Sequence, residues 1–162
     1  MMPLMARSFF INVNQDTEGR FYGTISQIFY KQDEVFYGLA DAILKIDNML
    51  DELGCVQALT EIRDFNRKYD KADRLVYSKL PKEERIEKEK KQNTHVQYRE
   101  IDELREKASQ QRNCFIVDIM YRQHSSWQGR ITWRNHSKRP KKEYFRSVLE
   151  LLSLINSSYE MQ

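Results

Sequence analysis

The feature that most constrains the fold is a pattern that occurs twice in the chain. Residues 9–13 and 115–119 are short apolar runs with β-branched side chains, and such runs predict β-strands. In both copies an aromatic residue, one further residue and a glycine follow, ending at Gly23 and Gly129, with an isoleucine two positions later. The two glycines are 106 residues apart. Because the same residue types recur in the same order, we interpret the chain as two related units.

Each unit continues into a predicted helix. Phe36 and Phe145 follow the second strand after a polar loop, and we place the start of a helix at each of them. Apolar residues then recur three, four, seven and ten positions later, which is the spacing of one helix face. They are Leu39, Ala40, Ile43 and Ile46 in the first unit, and Val148, Leu149, Leu152 and Ile155 in the second. The two phenylalanines are 109 residues apart, so the second unit has a longer loop, and this loop (residues 135–142) is strongly basic.

The residues between the two units also predict helices. Apolar side chains spaced by three or four run from Val56 to Val76, and Leu80-Pro81 ends that segment. Residues 82–91 are charged at every position except one, with alternating signs, and a weaker apolar stripe continues over residues 101–108. This pattern favours an inserted antiparallel helical hairpin, or alternatively a helical arm that pairs with a second copy of the protein.

These elements together predict an α+β fold. One hairpin with one helix has too small a core to be stable, so we expect two ββα units to combine. The predicted architecture is a four-stranded, mainly antiparallel sheet built by both units, with the helical hairpin projecting from it. The first unit is expected at residues 1–54, the hairpin at 55–112 and the second unit at 113–162.

Charge separates the two units more clearly than the net value of +3 suggests. Residues 1–54 carry a net charge of −4, whereas residues 112–146 carry +7. No apolar run is long enough to cross a membrane, and the first residues do not form a secretory signal. Cys55 and Cys114 are the two cysteines, which gives no disulfide framework and no metal-binding pair. We therefore expect a cytoplasmic protein of a bacterial cell, without a membrane partner.

The sequence contains no recognisable catalytic motif. The five glycines form no phosphate-binding loop, and no nucleophile-elbow motif is present. The three histidines lack metal-ligand spacing, and His124, although it stands beside two serines, is placed between predicted strands, where a turn is expected. The paired carboxylates at residues 83–84 and 102–103 lie among lysines and arginines and are expected to be solvated. The sequence therefore predicts a protein that is not an enzyme and has no cofactor or metal.

A recognition surface is predicted in the second unit, where arginines and lysines alternate with aromatic residues. Such side chains contact phosphates and stack on bases. Trp133 shares a strand face with Ile131 and is predicted to belong to the core instead. The same surface could meet an acidic protein, or the acidic unit of a second copy, or remain a solvated loop. The predicted binding residues are Arg122, Gln123, His124, Trp127, Arg130, Arg134, Lys138, Arg139, Lys141 and Lys142.

The final third of the chain resembles small uncharacterised proteins carried on mobile genetic elements of gut-dwelling bacteria. Two stretches carry the resemblance: residues 121–129, which read Tyr-Arg-Gln-His-Ser-Ser-Trp-Gln-Gly, and residues 145–151, which read Phe-Arg-Ser-Val-Leu-Glu-Leu. The first unit departs from it, with Asn14-Gln15-Asp16 where Arg-Gln would be expected. The resemblance brings no established activity with it.

Proteins of this size on mobile elements, when they lack catalytic motifs, are often antagonists of host defence, and anti-CRISPR proteins are one such group. The resemblance thus implies an inhibitor or adaptor of a nucleoprotein machine, such as a Cas nuclease with its guide RNA, and an acidic surface can mimic nucleic acid there. The alternative is an accessory protein whose basic unit binds DNA or RNA directly. A third hypothesis is a self-associating structural protein, whose mass in solution would exceed 19.6 kDa.

Overall fold

The computed structural model describes residues 7–54, 83, 95–135 and 139–161. The strands are β1 (Ser8–Gln15), β2 (Phe21–Ser26), β3 (Glu34–Tyr37), β4 (Cys114–Tyr121), β5 (Gln128–Arg134) and β6 (Lys141–Phe145). The helices are α1 (Leu39–Leu53), α2 (Ile101–Gln110) and α3 (Val148–Glu160). In these ranges no helix has both the length and the apolar character needed to span a membrane.

The strands form one antiparallel sheet in the order β3-β2-β1-β4-β5-β6. Each unit is a three-stranded meander followed by a helix, and the units join where β1 pairs with β4. The predicted α+β class is confirmed. The predicted four-stranded sheet is wrong, because each unit contributes a third strand. These extra strands lie at the edges of the sheet and expose every residue except Phe36 and Phe145, so they lack the apolar alternation that marks a half-buried strand.

The register of the central strand pair relates the two units by an approximate two-fold axis. Phe10 lies opposite Ile116, and these residues are themselves 106 positions apart. On either side, Phe9 lies opposite Val117 and Ile11 lies opposite Phe115. Adding 106 to the first-unit residue of one pair and subtracting 106 from its second-unit residue gives the other pair. The offset seen in the sequence is therefore also the offset of the strand pairing, and the axis passes between Phe10 and Ile116.

The helices begin later than the sequence predicts. Phe36 lies inside β3 and Phe145 ends β6, so neither residue opens a helix. Each ring lies opposite a glycine of the neighbouring strand, Gly23 or Gly129, where the missing side chain leaves room for it. After β6 the chain enters α3 at Ser147. The Ser147 hydroxyl accepts a hydrogen bond from the amide of Glu150 and so caps the helix.

The buried face of the two long helices differs from the predicted one by a small rotation. Ala42 and Ile46 of α1 are buried, as are Leu151 and Ile155 of α3 at the positions 109 residues later. By contrast, Leu149 was predicted to face the core but is 77% exposed. Contact with the sheet, which only the tertiary structure reveals, selects the helix face. The main core lies between this helical layer and the inner side of the sheet.

The predicted long helical hairpin is not found as such. Of the residues assigned to it, the structure gives helix α2, which packs across the other side of the sheet instead of projecting from it. Leu104 and Ala108 of α2 contact Phe10 and Cys114 in a second, smaller cluster. Helix α2 thus covers the sheet near the approximate two-fold axis. The remainder of the predicted hairpin, at residues 55–82 and 84–94, lies outside the described residues.

A carboxylate on the loop before β3 fixes α2 and the segment that leads into it. Asp33 accepts hydrogen bonds from Arg99, from Lys107 at 3.1 Å and from the Ser26 hydroxyl at 2.7 Å. Burial raises the pKa of the Asp33 carboxyl, but these hydrogen bonds outweigh burial, and the pKa lies below its ordinary value of 3.8. The Arg99 side chain is itself only 16% exposed, so this ion pair is partly shielded from solvent.

Replacing Asp33 by asparagine is expected to lower the free energy of unfolding by about 2 kcal/mol near neutral pH, because charge-assisted hydrogen bonds are lost. A carboxylate with a lowered folded-state pKa stabilises the protein above its ordinary pKa and loses that effect as pH falls through the folded-state value. The difference between wild type and Asp33→Asn should therefore shrink below pH 3.8. Urea unfolding over a pH series measures this.

The control for this prediction is Asp102→Asn, which removes a carboxylate of α2 that is 90% exposed. Exposed ion pairs contribute little, so the control is expected to change the free energy of unfolding by less than about 0.5 kcal/mol. If Asp33→Asn matched this control at neutral pH, Asp33 would not be what fixes α2.

Candidate binding surface

The side of the sheet opposite α1 and α3 is here called the open face. Paired residues of neighbouring antiparallel strands share a face, so the register assigns its members. Helix α2 covers the centre of this face, where Phe10 and Ile116 lie. On either side of α2 the open face is exposed, at one end formed by the first unit and at another formed by the second. The two-fold relation makes these two ends equivalent.

The end formed by the second unit carries cations and aromatic rings, and we call it the basic patch: Arg130, Lys142 and Tyr144, with Met120 and Tyr121 at the end of β4. Arg130 lies directly opposite Tyr144, which is 69% exposed. Lys142 lies opposite the next residue of β5 on the same face. A bulge between Ile119 and Tyr121 ends the regular pairing there.

Arg130 is held in place by a carboxylate of the neighbouring strand. Its Nη2 and Nε atoms lie 3.0 and 3.3 Å from Oδ2 of Asp118, whose other oxygen accepts a hydrogen bond from the Ser8 hydroxyl at 2.5 Å. The side chain of Arg130 nevertheless remains 38% exposed. The guanidinium is therefore oriented on the sheet surface and still accessible to a ligand, as a pre-ordered binding group requires.

The equivalent end in the first unit has uncharged polar, aliphatic and aromatic side chains, and we call these five residues the neutral patch: Tyr22, Val35, Tyr37, Asn14 and Thr24. Tyr37 is 77% exposed and lies opposite Tyr22. Val35 occupies the position that Tyr144 has in the second unit, and Thr24 occupies that of Arg130. The two ends of the open face thus have the same backbone framework but different chemistry.

Two of the predicted binding residues are buried and link the two units. The Arg122 guanidinium, 4% exposed, donates hydrogen bonds to Asp47 at 3.0 Å and to Asp51 at 2.8 Å, both on α1. The Trp127 indole, also buried, donates to the same Asp47 carboxylate at 3.1 Å. Neither side chain is exposed to a partner. Part of the charge difference between the units is therefore balanced inside the chain.

Gln123 and His124 belong to the turn between β4 and β5. The backbone amide of Gln123 donates a hydrogen bond to the side-chain oxygen of Gln128 at 2.9 Å, and the side-chain amide of Gln128 donates to the carbonyl of Gln123 at 3.0 Å. His124 and Ser125 have positive φ values of 54° and 55°, and the Ser126 hydroxyl accepts a hydrogen bond from the amide of Val148 at 2.9 Å. These contacts make the segment a structural turn, with His124 exposed at its tip.

The remaining predicted residues lie near β6 or at the end of β5. Arg134 is half-buried on the open face beside Cys114, and its buried Nε has no hydrogen-bond partner in the described part of the chain. Arg139 is exposed before β6, and Lys138 lies outside the described residues. Lys141 points to the helical side of the sheet, with its ammonium 5.5 Å from the centre of the Trp133 ring. Trp133 packs in the core beside Ile131, as the sequence predicts.

Sequence reasoning missed Tyr144, Tyr121 and Met120 as surface residues. The sequence predicts a basic loop over residues 135–142 and the start of a helix at Phe145, because a strand that exposes four of its five side chains shows no apolar alternation. The signal that could have placed Tyr144 is its position before Phe145. Once that phenylalanine is paired with Gly129, alternation puts Tyr144 on the opposite face next to Arg130.

The thiol of Cys114 and the hydroxyl of Tyr159 are both at least partly removed from solvent. Burial raises the pKa of the Cys114 thiol to about 12, so it is not a nucleophile at neutral pH. Burial likewise raises the pKa of Tyr159 to about 12, and its hydroxyl is used in a 2.6 Å hydrogen bond to the carbonyl of Val13. Over residues 7–54, 95–135 and 139–161, no three histidine, cysteine or acidic residues come together in a way that could hold a metal ion.

Comparison with known proteins does not assign the chain to a family. No protein-family model, no curated protein and no solved structure matches the chain.

Proposed function

We propose that this chain is a non-enzymatic binding protein that acts as an inhibitor or adaptor of a nucleoprotein machine, and that it binds through the basic patch. The observation that carries the proposal is the placement of an oriented Arg130 directly opposite an exposed Tyr144, with Lys142 on the same face. Arginine and tyrosine are enriched in protein interfaces, and both also contact nucleic acid. The neutral patch has neither cation at the equivalent positions.

The resemblance of the last third of the chain to proteins of mobile genetic elements supports the class of partner. Within that class the proposal extends to anti-CRISPR inhibition of a Cas nuclease carrying its guide RNA. Such a target displays nucleic acid and protein together, which suits a patch that combines cations with aromatic rings. Because Asp47 and Asp51 are engaged by Arg122 within the chain, the basic patch is a better candidate for the contact than an acidic mimic of nucleic acid on α1.

Affinity capture of the tagged protein from bacterial lysate tests this proposal. The lysate is divided, and one half is treated with nuclease before capture. The proposal predicts a stoichiometric protein partner in both halves, because an inhibitor or adaptor contacts protein of the machine. Loss of every partner after nuclease treatment would contradict it.

Direct binding of DNA or RNA is a second candidate, favoured by the cations around the second edge of the sheet: Arg130, Arg139, Lys141 and Lys142. Phosphate contacts release counterions, so affinity for a single-stranded oligonucleotide should fall steeply with salt. The joint variant with all four residues changed to serine should lose this binding, measured by fluorescence anisotropy. An oligonucleotide affinity that is independent of salt, or unchanged in that variant, would eliminate this candidate.

A further inference from the structure

The two edges of the sheet differ in whether their outward backbone groups are covered. In an antiparallel strand, alternate residues direct their N–H and C=O groups to opposite sides, so an edge strand leaves every second residue unpaired. Such an edge is a template for pairing with another strand. In this sheet the edges are β3 and β6, which occupy equivalent positions in the two units.

The edge of β3 is covered by side chains of α1. The Lys45 ammonium donates a hydrogen bond to the carbonyl of Val35 at 2.6 Å, and the amide of Tyr37 donates to the Asp41 carboxylate at 3.0 Å. Lys45 and Asp41 also form an ion pair with each other at 3.2 Å. Two backbone groups that face away from β2, the carbonyl of Val35 and the amide of Tyr37, are therefore engaged, and the Lys45 and Asp41 side chains lie where an added strand would pair.

The edge of β6 has one of these two side-chain contacts and lacks the other. The amide of Arg146 donates to the Glu150 carboxylate at 2.6 Å, as Tyr37 does to Asp41 in the first unit. The residue equivalent to Lys45, however, is Leu154, whose side chain has no donor. Since Arg146 faces away from β5, alternation makes Tyr144 and Lys142 face away as well. Their outward N–H and C=O groups have no partner in the described part of the chain.

We infer that the β6 edge binds an acidic, extended segment of a partner protein as an added strand. The chemistry of the partner follows from the charges beside the edge. Arg139 and Lys142 are exposed and have no carboxylate partner in the described ranges, and Lys141 adds a third cation against the single acid Glu143. An added strand with acidic residues would pair with these cations while its backbone satisfies the outward groups of β6.

A second copy of this chain does not fit the same edge. Antiparallel pairing of β6 with β6 centred on Lys142, Glu143 or Tyr144 would place Lys142 opposite Lys142, Glu143 opposite Glu143, or Lys142 opposite Arg146. Like charges across a strand pair are destabilising. Pairing β6 with β3 of another copy is opposed by Lys45 and Asp41, which already cover that strand. The occupant is therefore a segment of a different protein.

This inference rests on the proposed role as a binding protein and names the chemistry of the partner segment, but it concerns the backbone of β6. The variant that tests it is Tyr144→Pro. Proline removes the outward N–H while leaving the bonds to β5, because residue 144 does not donate to that strand. Tyr144→Ala is the matched control, since it removes the ring but retains the N–H. Both variants remove the Tyr144 ring of the basic patch, so a difference between them reports on the backbone N–H alone, and the two proposals can fail separately.

The probe is a fluorescent peptide of eight residues with alternating glutamate and valine, and its binding is measured by anisotropy. Compared with Tyr144→Ala, the Tyr144→Pro variant is expected to bind about tenfold more weakly, because a backbone hydrogen bond is lost. The same peptide with N-methylated amides, which cannot pair as a strand, should bind at least about tenfold more weakly to the wild type. Val35→Pro alters the edge that is already covered and should leave the affinity unchanged.

Amide exchange measured by NMR locates the contact. Saturating peptide should slow exchange at Lys142 and Tyr144 by at least about tenfold and leave Glu143 unchanged, because Glu143 already faces β5. Absence of peptide binding would overturn the inference, as would equal affinity for the N-methylated peptide. Protection of the same amides by an oligonucleotide instead of the peptide, or by higher protein concentration alone, would also overturn it in favour of nucleic acid or a second copy.

Discussion

Replacing Gly129 by alanine is expected to destabilise the protein by about 3 kcal/mol, and Gly23→Ala should have a similar effect. A Cβ atom at Gly129 would lie 2.0 Å from the carbonyl oxygen of Asp118, and one at Gly23 would lie 1.8 Å from that of Asn12. Both oxygens belong to the neighbouring strand, so relief requires the strands to separate. The expected result is a matched pair of large losses in urea unfolding, one in each unit.

The control for both glycine variants is Gly19→Ala. Gly19 has a positive φ of 78°, but an added Cβ would meet only the flexible end of the Gln15 side chain at 3.5 Å. Its expected loss is about 1 kcal/mol, because only the backbone conformation is disfavoured. A loss at Gly129 no larger than at Gly19 would mean that β4 and β5 do not approach as closely as described.

Replacing Asp47 by alanine is expected to destabilise the protein by about 3 kcal/mol, because it removes a carboxylate from a buried arginine. Asp47 accepts hydrogen bonds from Arg122 at 3.0 Å and from the Trp127 indole at 3.1 Å. The Arg122 side chain is only 4% exposed, so its charge cannot turn to solvent when the carboxylate is lost. Thermal or urea unfolding measures the loss.

Asp51→Ala is the matched control, because Asp51 lies on the same helix and pairs with the same arginine. Its side chain is 49% exposed, compared with 18% for Asp47, and exposed partners contribute less. The change in helix propensity is the same in both variants. We expect a loss of about 1 kcal/mol for Asp51→Ala. Equal losses at the two positions would show that burial does not set the strength of this link between the units.

The repeat could be found in the sequence because its strongest elements are local. The apolar strand runs, the aromatic-x-glycine pattern and the amphipathic helices each leave a mark within a few residues. The edge strands could not be found in this way. Phe36 and Phe145 are paired with Gly23 and Gly129, residues whose closeness to them follows from the register of the sheet and not from local spacing.

Local signals likewise indicate only some of the residues of the candidate site. Composition and charge directed attention to the second unit, and Arg130, Lys142 and Arg139 do lie exposed or half-exposed there. In the sequence, Arg122 and Trp127 cannot be told apart from these exposed residues. They are buried because they contact Asp47, on a helix about 75 residues earlier in the chain. A long-range ion pair of this kind leaves no local signal. Tyr144 was missed because its strand reads as a loop.

The approximate two-fold relation makes the difference between the two ends of the open face informative. Equivalent positions carry Arg130 and Tyr144 in one unit, and Thr24 and Val35 in the other. A framework requirement alone would apply to both units equally. The shared framework therefore does not require the cations and the exposed ring of the second unit, and this contrast supplies a control for the proposed binding within the same chain.

The most direct test of the proposed function compares two triple variants in affinity capture after nuclease treatment. The first changes Arg130, Lys142 and Tyr144 to serine, and the second changes the neutral-patch residues Tyr22, Val35 and Tyr37 to serine. We expect the first variant to lose the protein partner and the second to retain it, with both still folded by circular dichroism. Retention of the partner by the first variant, or its loss from the second alone, would contradict the assignment of binding to the basic patch.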